Sequence, residues 1–147
     1  MYTIVMDKHK NLNTTVRTTL FQKESMVDKI QFLIPPTYNG IELNSYTAIL
    51  KYVDPNGNFH SEKLIADEET YKNYLRYTID VKSNLTHTAG VVTIRLSFLD
   101  VNGESDEEIS KLETNSTSIE IQKPGGFNDA VIFEDIKSTE IQFIEFN

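Results

Sequence analysis

Histidine, carboxylate and tyrosine are the residue types in this chain that could do chemistry, and their spacing decides which chemistry is open to it. His9, His60 and His87 lie far apart, and none has a second histidine or a carboxylate at a zinc-ligand interval. No metal site is expected from them. The run Asp100-Val101-Asn102-Gly103-Glu104-Ser105-Asp106-Glu107-Glu108 gathers oxygen ligands around a glycine, as a calcium loop does. An EF-hand, however, places its glycine sixth and between helices, whereas here the glycine is fourth in a β context, so an acidic, solvated hairpin loop is expected. No Gly-x-Ser-x-Gly elbow and no glycine-rich phosphate loop occurs. The adjacent pairs Glu68-Glu69 and Glu107-Glu108 read as loop carboxylates, because a glycosidase pair would have to face across a cleft. Neither catalytic residues nor a cofactor are expected. Asn13-Thr14-Thr15, Asn84-Leu85-Thr86 and Asn115-Ser116-Thr117 have glycosylation spacing, which carries weight only in a secreted chain.

The tyrosines offer a different chemistry. Most of them, like the phenylalanines, fall on alternating stretches where aromatic rings ordinarily fill a core. Tyr38, Tyr71 and Tyr74 fall on turns or crossing segments instead, where a ring could stack on a sugar. The competing reading is a hydroxyl that caps a sandwich corner.

The elements that would position these residues are strands. Val92, Ile94, Leu96 and Phe98 alternate with Thr93, Arg95 and Ser97, and only an extended chain puts all four apolar groups on one side. Leu75, Tyr77, Ile79 and Val81 alternate in the same way, as do Ile30, Phe32 and Ile34. The run 46–53 is apolar on both parities, with Ala48, Leu50 and Tyr52 on one and Ile49 and Val53 on the other, which suggests cover on both faces. It meets Asp54-Pro55-Asn56-Gly57, a turn whose proline fixes one angle and whose Asn-Gly tolerates positive φ, so a hairpin into 59–65 should follow. Further strands are expected at 2–6, 15–21 and 117–122, and a helical turn or a loop crossing between sheets at 66–72. About eight strands at hairpin-like intervals, with no long helical period, specify an all-β fold, an immunoglobulin-like antiparallel β-sandwich with a C-terminal extension.

Composition sets the outer bounds. A chain of 147 residues supports one ordinary core, and 39% hydrophobic with 24% charged residues is the balance of a folded, soluble domain. The formal net charge of −8 repels phosphate backbones and anionic lipid, so nucleic acid is not an expected partner. Without cysteine there is no disulfide, thiolate metal site or cysteine nucleophile, in keeping with a reducing compartment. The opening 1–7 has no basic leader and no long apolar run, and no membrane insertion is expected.

Lys123-Pro124-Gly125-Gly126 marks a boundary, since proline stops a ladder and paired glycines weaken one. It divides a sandwich, 1–123, from an extension, 124–147. Beyond it Phe127, Val131, Ile132, Phe133, Ile141, Phe143 and Phe146 stand among several carboxylates. A tail this apolar could return to the sandwich as an added strand or dock on a neighbouring subunit by strand addition.

Three stretches resemble a known family. They are Tyr2-Thr3-Ile4-Val5-Met6 leading into a threonine-rich second strand, Val27-Asp28-Lys29-Ile30-Gln31-Phe32-Leu33-Ile34-Pro35-Pro36-Thr37-Tyr38, and Leu85-Thr86-His87-Thr88-Ala89-Gly90 before the strand at 92–98. Together they make the first 123 residues similar to the amino-terminal domain of baseplate upper proteins and related tail proteins from phages of Gram-positive bacteria. The resemblance implies a non-enzymatic virion structural protein, assembled in the host cytoplasm, that anchors an adsorption apparatus in symmetric copies through contacts with other virion proteins. Longer members continue into a coiled coil and distal domains, which this chain does not. A shorter adaptor, a capsid decoration or a head-fibre anchor is the variant that this implies. A carbohydrate-binding or adhesin module using Tyr38, Tyr71 and Tyr74 is the rival reading from another class.

Overall fold

The computed structural model describes residues 1–26, 28–100 and 111–124. In chain order its strands are β1 (Tyr2–Met6), β2 (Leu12–Val16), β3 (Leu20–Phe21), β4 (Lys29–Ile34), β5 (Thr37–Tyr38), β6 (Ile41–Glu42), β7 (Thr47–Val53), β8 (Phe59–Leu64), β9 (Leu75–Asp80), β10 (Gly90–Leu99), β11 (Lys111–Glu113) and β12 (Thr117–Gln122). One sheet has the order β2-β1-β4-β9, and a second has the order β3-β12-β10-β7-β8, with β11 also on β10. Strands β5 and β6 form a small ladder of their own.

The alternation read from the sequence is what closes the two sheets on each other. On β10, Val92, Ile94, Leu96 and Phe98 are all buried, and on β7 so are Ala48, Leu50 and Tyr52. They meet Ile4 and Met6 of β1, Ile30, Phe32 and Ile34 of β4, and Leu75 and Tyr77 of β9 in one continuous core. Each large aliphatic side chain sealed there contributes about 1.5–3 kcal/mol relative to exposure. Val81, expected on the third of these alternating strands, is fully buried just beyond the end of β9.

The all-β sandwich is thus as expected, with β4 and β9 in one sheet and β7, β8, β10 and β12 in the other. In chain order these occupy the places of strands B and E and of C, C′, F and G in a variable-type immunoglobulin sandwich. Two ladders depart from the antiparallel expectation, since β1 runs parallel to β4 and β3 parallel to β12. Both follow from the amino-terminal chain. The strand expected at 15–21 is divided: β2 ends at Val16 in the first sheet, and Leu20 enters the second beside Ile121. The buried Leu20 supplies the pull, and the intervening Arg17-Thr18-Thr19 makes the crossing.

The segment 66–72 is a loop, tied by a bridge from Ala66 to Tyr77. Helical turns lie instead at Leu43–Ser45 and at Ser83–Thr86, where Leu85 plugs the end of the core. There the Thr86 hydroxyl donates to the Glu24 carbonyl, and the Thr86 carbonyl accepts from the Lys23 N–H at 2.8 Å. Gly90 opens β10 at φ +132°, and a Cβ there would stand 3.1 Å from the Pro55 side chain, so the position admits glycine alone without rearrangement.

Candidate functional site

The two sheets present different outer faces. On the four-stranded sheet the exposed row is polar and internally paired. Arg76 Nε lies 2.7 Å from Asp67 Oδ2, which also accepts from the Thr78 hydroxyl at 3.2 Å, and Lys29 reaches Asp80 at 3.9 Å. On the six-stranded sheet the register aligns Phe59 of β8, Val53 of β7 and Thr93 of β10 in one row, with Ser61, Lys51 and Arg95 in the next. This row pair lines a cleft of ≈470 Å³ together with Ser116. Phe59 is 84% exposed and Val91, further along β10, is 55% exposed, so a large ring and a branched side chain stand bare on a face otherwise built of strands.

A basic cluster adjoins this apolar strip. Glu113 of β11 sits among Lys111 at 2.9 Å, Lys51 at 3.2 Å and Arg95 at 3.5 Å, and accepts from the Ser97 hydroxyl at 3.0 Å. Burial pushes the Glu113 carboxyl up, but the hydrogen bonds from Lys111, Ser97 and Lys51 outweigh it and hold the group at about 2. The carboxylate is therefore charged at neutral pH, and three cations share it. That leaves a local excess of positive charge on a chain whose net charge is strongly negative.

Beside the cleft, the His60 ring stacks on Tyr52 with centroids 4.8 Å apart and planes at 19°. Its Nε2 lies 3.0 Å from Asp54 Oδ2. The hydrogen bond from His60, followed by those from Asn58 and Asn56, lowers the Asp54 carboxyl to about 2. Burial, with the charges of Glu62 and Asp54, raises the Tyr52 hydroxyl to about 12. The triplet fixes the hairpin between β7 and β8, and among the described residues no serine or threonine hydroxyl is hydrogen-bonded to the histidine ring. No group of three or more histidines, aspartates or glutamates among the described residues is placed to hold a metal.

The structure brings Tyr71 and Tyr74 together and leaves Tyr38 elsewhere. Tyr71 and Tyr74 flank a two-residue turn in which each backbone N–H donates to the other's carbonyl, at 2.9 and 2.8 Å, with Lys72 and Asn73 at φ +48° and +69°. Lys72 Nζ lies 5.3 Å from the Tyr71 ring centroid, so one face of that ring already carries a cation. Tyr38, on β5, lines a cleft of ≈310 Å³ with Ile41, Leu43, Tyr46 and Leu112. Phe127, Val131, Ile132, Phe133, Ile141, Phe143 and Phe146 lie outside the described residues, as does the acidic run from Val101.

Sequence reasoning had not singled out Phe59, Lys51, Arg95 or Glu113. The signal was available for the first: Phe59 is on the parity opposite to Leu64, which points it away from the core of a strand that buries Leu64. The clustering around Glu113 had none, because β11 joins β10 through a register that the sequence does not encode locally.

The fold and this face together define an immunoglobulin-like sandwich whose larger sheet carries an apolar strip beside a basic cluster. Among solved structures the fold is similar to the "N-terminal domain of phage TP901-1 ORF48", with a TM-score of 0.50 over 83% of this chain and 96% of that one. At 13% identity the likeness is one of fold, and it bears out the expected similarity to the amino-terminal domain of a phage protein. No family model matches the sequence, and no curated protein does. No helix among the described residues is long and apolar enough to cross a membrane.

Proposed function

We propose that this chain is a non-enzymatic structural component of a phage virion, an adaptor or anchor domain of the tail or baseplate that assembles with other virion proteins in symmetric copies. The observation that carries the reading is the fold likeness to an amino-terminal domain of a phage protein across nearly all of that domain. Two features of the surface support it. Strand β2 ends one sheet and β8 the other, so among the described strands two long edges are unpaired and suited to strand addition, while the outer edge of β9 is partly taken by Ala66 and Asp67. The clearest exposed apolar feature among the described residues is an open strip on a sheet face, which suits cover by polypeptide better than enclosure of a small substrate. The sandwich occupies 1–123, and 124–147 is an extension of it.

The test is electron microscopy of purified particles that carry a tagged chain. Label at the tail or baseplate is the expected result. Label on the head would replace the reading with a capsid decoration or head-fibre anchor. Absence from particles, or turnover of a substrate by the purified chain, would overturn it.

A further inference from the structure

We infer that the outer face of the six-stranded sheet is the seat of this chain's own carboxy-terminal segment, residues 127–146, docked within the same molecule. Four observations converge on that occupant.

The first is the face itself. Strand β7 is apolar on both parities, and while Ala48, Leu50 and Tyr52 are sealed in the core, Ile49 and Val53 are only half-buried on the other side. A strand with that pattern belongs between two layers. Among the described residues nothing covers the row formed by Phe59 and Val53, and Phe59 at 84% exposure is the most exposed large hydrophobic side chain there.

The second is charge. Lys51, Lys63, Arg95 and Lys111 rise from the same face against Glu113 and, at its far end, Glu120. The segment is the complement in composition: Asp129, Glu134, Asp135, Glu140 and Glu145 accompany its phenylalanines and isoleucines, with Lys137 as its one basic residue. An apolar, acidic peptide is what an apolar strip beside a cationic cluster selects.

The third is the point of exit. Strand β12 belongs to this sheet, and its last residues, Ile121 and Gln122, lie beside Gly90 and Phe21. The chain therefore leaves the sandwich next to Val91 and Glu120, at the end of the face away from the cationic cluster, and the row carrying Lys51 and Arg95 is about 15 Å further along at roughly 3.3 Å per residue.

The fourth is length. Gly125-Gly126 allows a reversal immediately after Pro124, and the twenty residues that follow could span roughly 65 Å when extended. The segment can cover the face with chain to spare. Tethering by so short a linker gives an effective concentration on the order of millimolar, which favours the same molecule over a second copy. The seat follows from the sheet face and stands whether or not the chain is found in particles.

Hydrogen–deuterium exchange on the full chain tests this. In the unaltered protein the amides of residues 127–146 are protected, to the same degree across a wide range of protein concentration. Phe59→Asp, a change at an exposed position that leaves the core intact, lowers protection in that segment by about tenfold or more while β10 keeps its own. Arg95→Glu does the same by charge. A segment that exchanges as a free peptide in the unaltered chain would overturn the assignment, and so would protection indifferent to both substitutions. Protection that grows with concentration would place the segment on a second copy instead. A photo-reactive side chain at position 59 that couples to residues 101–110, the acidic run before Lys111, would give the seat to that loop and refute the proposal.

Discussion

The hairpin turns at Asp7 and Asp54 are built to one plan with different materials. In each, the aspartate N–H donates to the carbonyl four residues on, Asn11 or Asn58, at 3.0 Å, and its Oδ1 accepts the N–H of the second and fourth residues that follow. Oδ2 takes a side chain six residues on, Asn13 in one turn and His60 in the other. The residue three on has positive φ in both, Lys10 at +65° and Gly57 at +84°. Each turn is also tied to a distant loop, the first through Asn115 to Lys10 and Asn11, the second through Asn56 to Thr88. The difference is that the second turn uses glycine where the backbone demands it and an aromatic, ionisable ring where the first has an amide. A side-chain carboxylate can impose the geometry alone, and the sequence advertises it only when proline and glycine assist.

The largest effect that could break the comparison lies in the strands feeding the two turns. Met6 before the first and Leu50 in the strand before the second are both buried in the one core. Met6→Ala and Leu50→Ala should each cost about 2–5 kcal/mol in urea unfolding, with a single coincident transition. Little loss from Met6→Ala, or a separate transition, would show that the hairpin of β1 and β2 is an appendage and that the shared plan has no shared energetic role.

A smaller effect tests the backbone. A Cβ at Gly57 meets nothing within 4 Å, so Gly57→Ala should destabilise by about 1 kcal/mol through the left-handed φ alone. Lys10→Gly should act in the opposite direction, stabilising by about 0.5 kcal/mol, because relief of the strained lysine is partly offset by the freer unfolded chain. Matched signs would mean that the two turns are not equivalent.

This pair also explains what was legible in the sequence. The Asp54 turn could be read because Pro55 and Gly57 announce it, and the strand at Val92 to Phe98 because its period has no rival. The Asp7 turn could not, since Lys10 gives no sign of positive φ. Asn39-Gly40 is as plain a signal as Asn56-Gly57, yet it closes only the two-residue ladder of β5 and β6, because what lies on either side decides how far pairing runs. The division of 15–21 between sheets was hidden because β-branched threonines suit a strand in either sheet, and only the burial of Leu20 against Ile121 determines where the chain crosses. The candidate site was less legible than the fold for the same reason. Period two tells which residues face outward, but the gathering of Lys51, Arg95 and Lys111 on Glu113 depends on which strands become neighbours.

The finest distinction is electrostatic. Both carboxyls fall from an ordinary 3.8 to about 2, Asp7 chiefly through the Asn11 backbone N–H and Asp54 chiefly through the His60 side chain. With folded-state values below the unfolded ones, each contributes stability that is fully present above the ordinary value and lost as pH falls through 3.8 towards 2. The causes differ in kind, so the two should respond differently to loss of the sixth residue's side chain. His60→Ala should raise Asp54 part of the way to its ordinary value and shift the acid limb of unfolding, further than Asn13→Ala raises Asp7, because the His60 side chain leads in the one and the Asn11 backbone N–H in the other, while both turns keep their backbone donors. Carboxyl-carbon NMR titration of the two variants separates these outcomes. Equal upward movement in both would mean that the side chain at the sixth position, and not the backbone of the turn, holds each carboxylate charged.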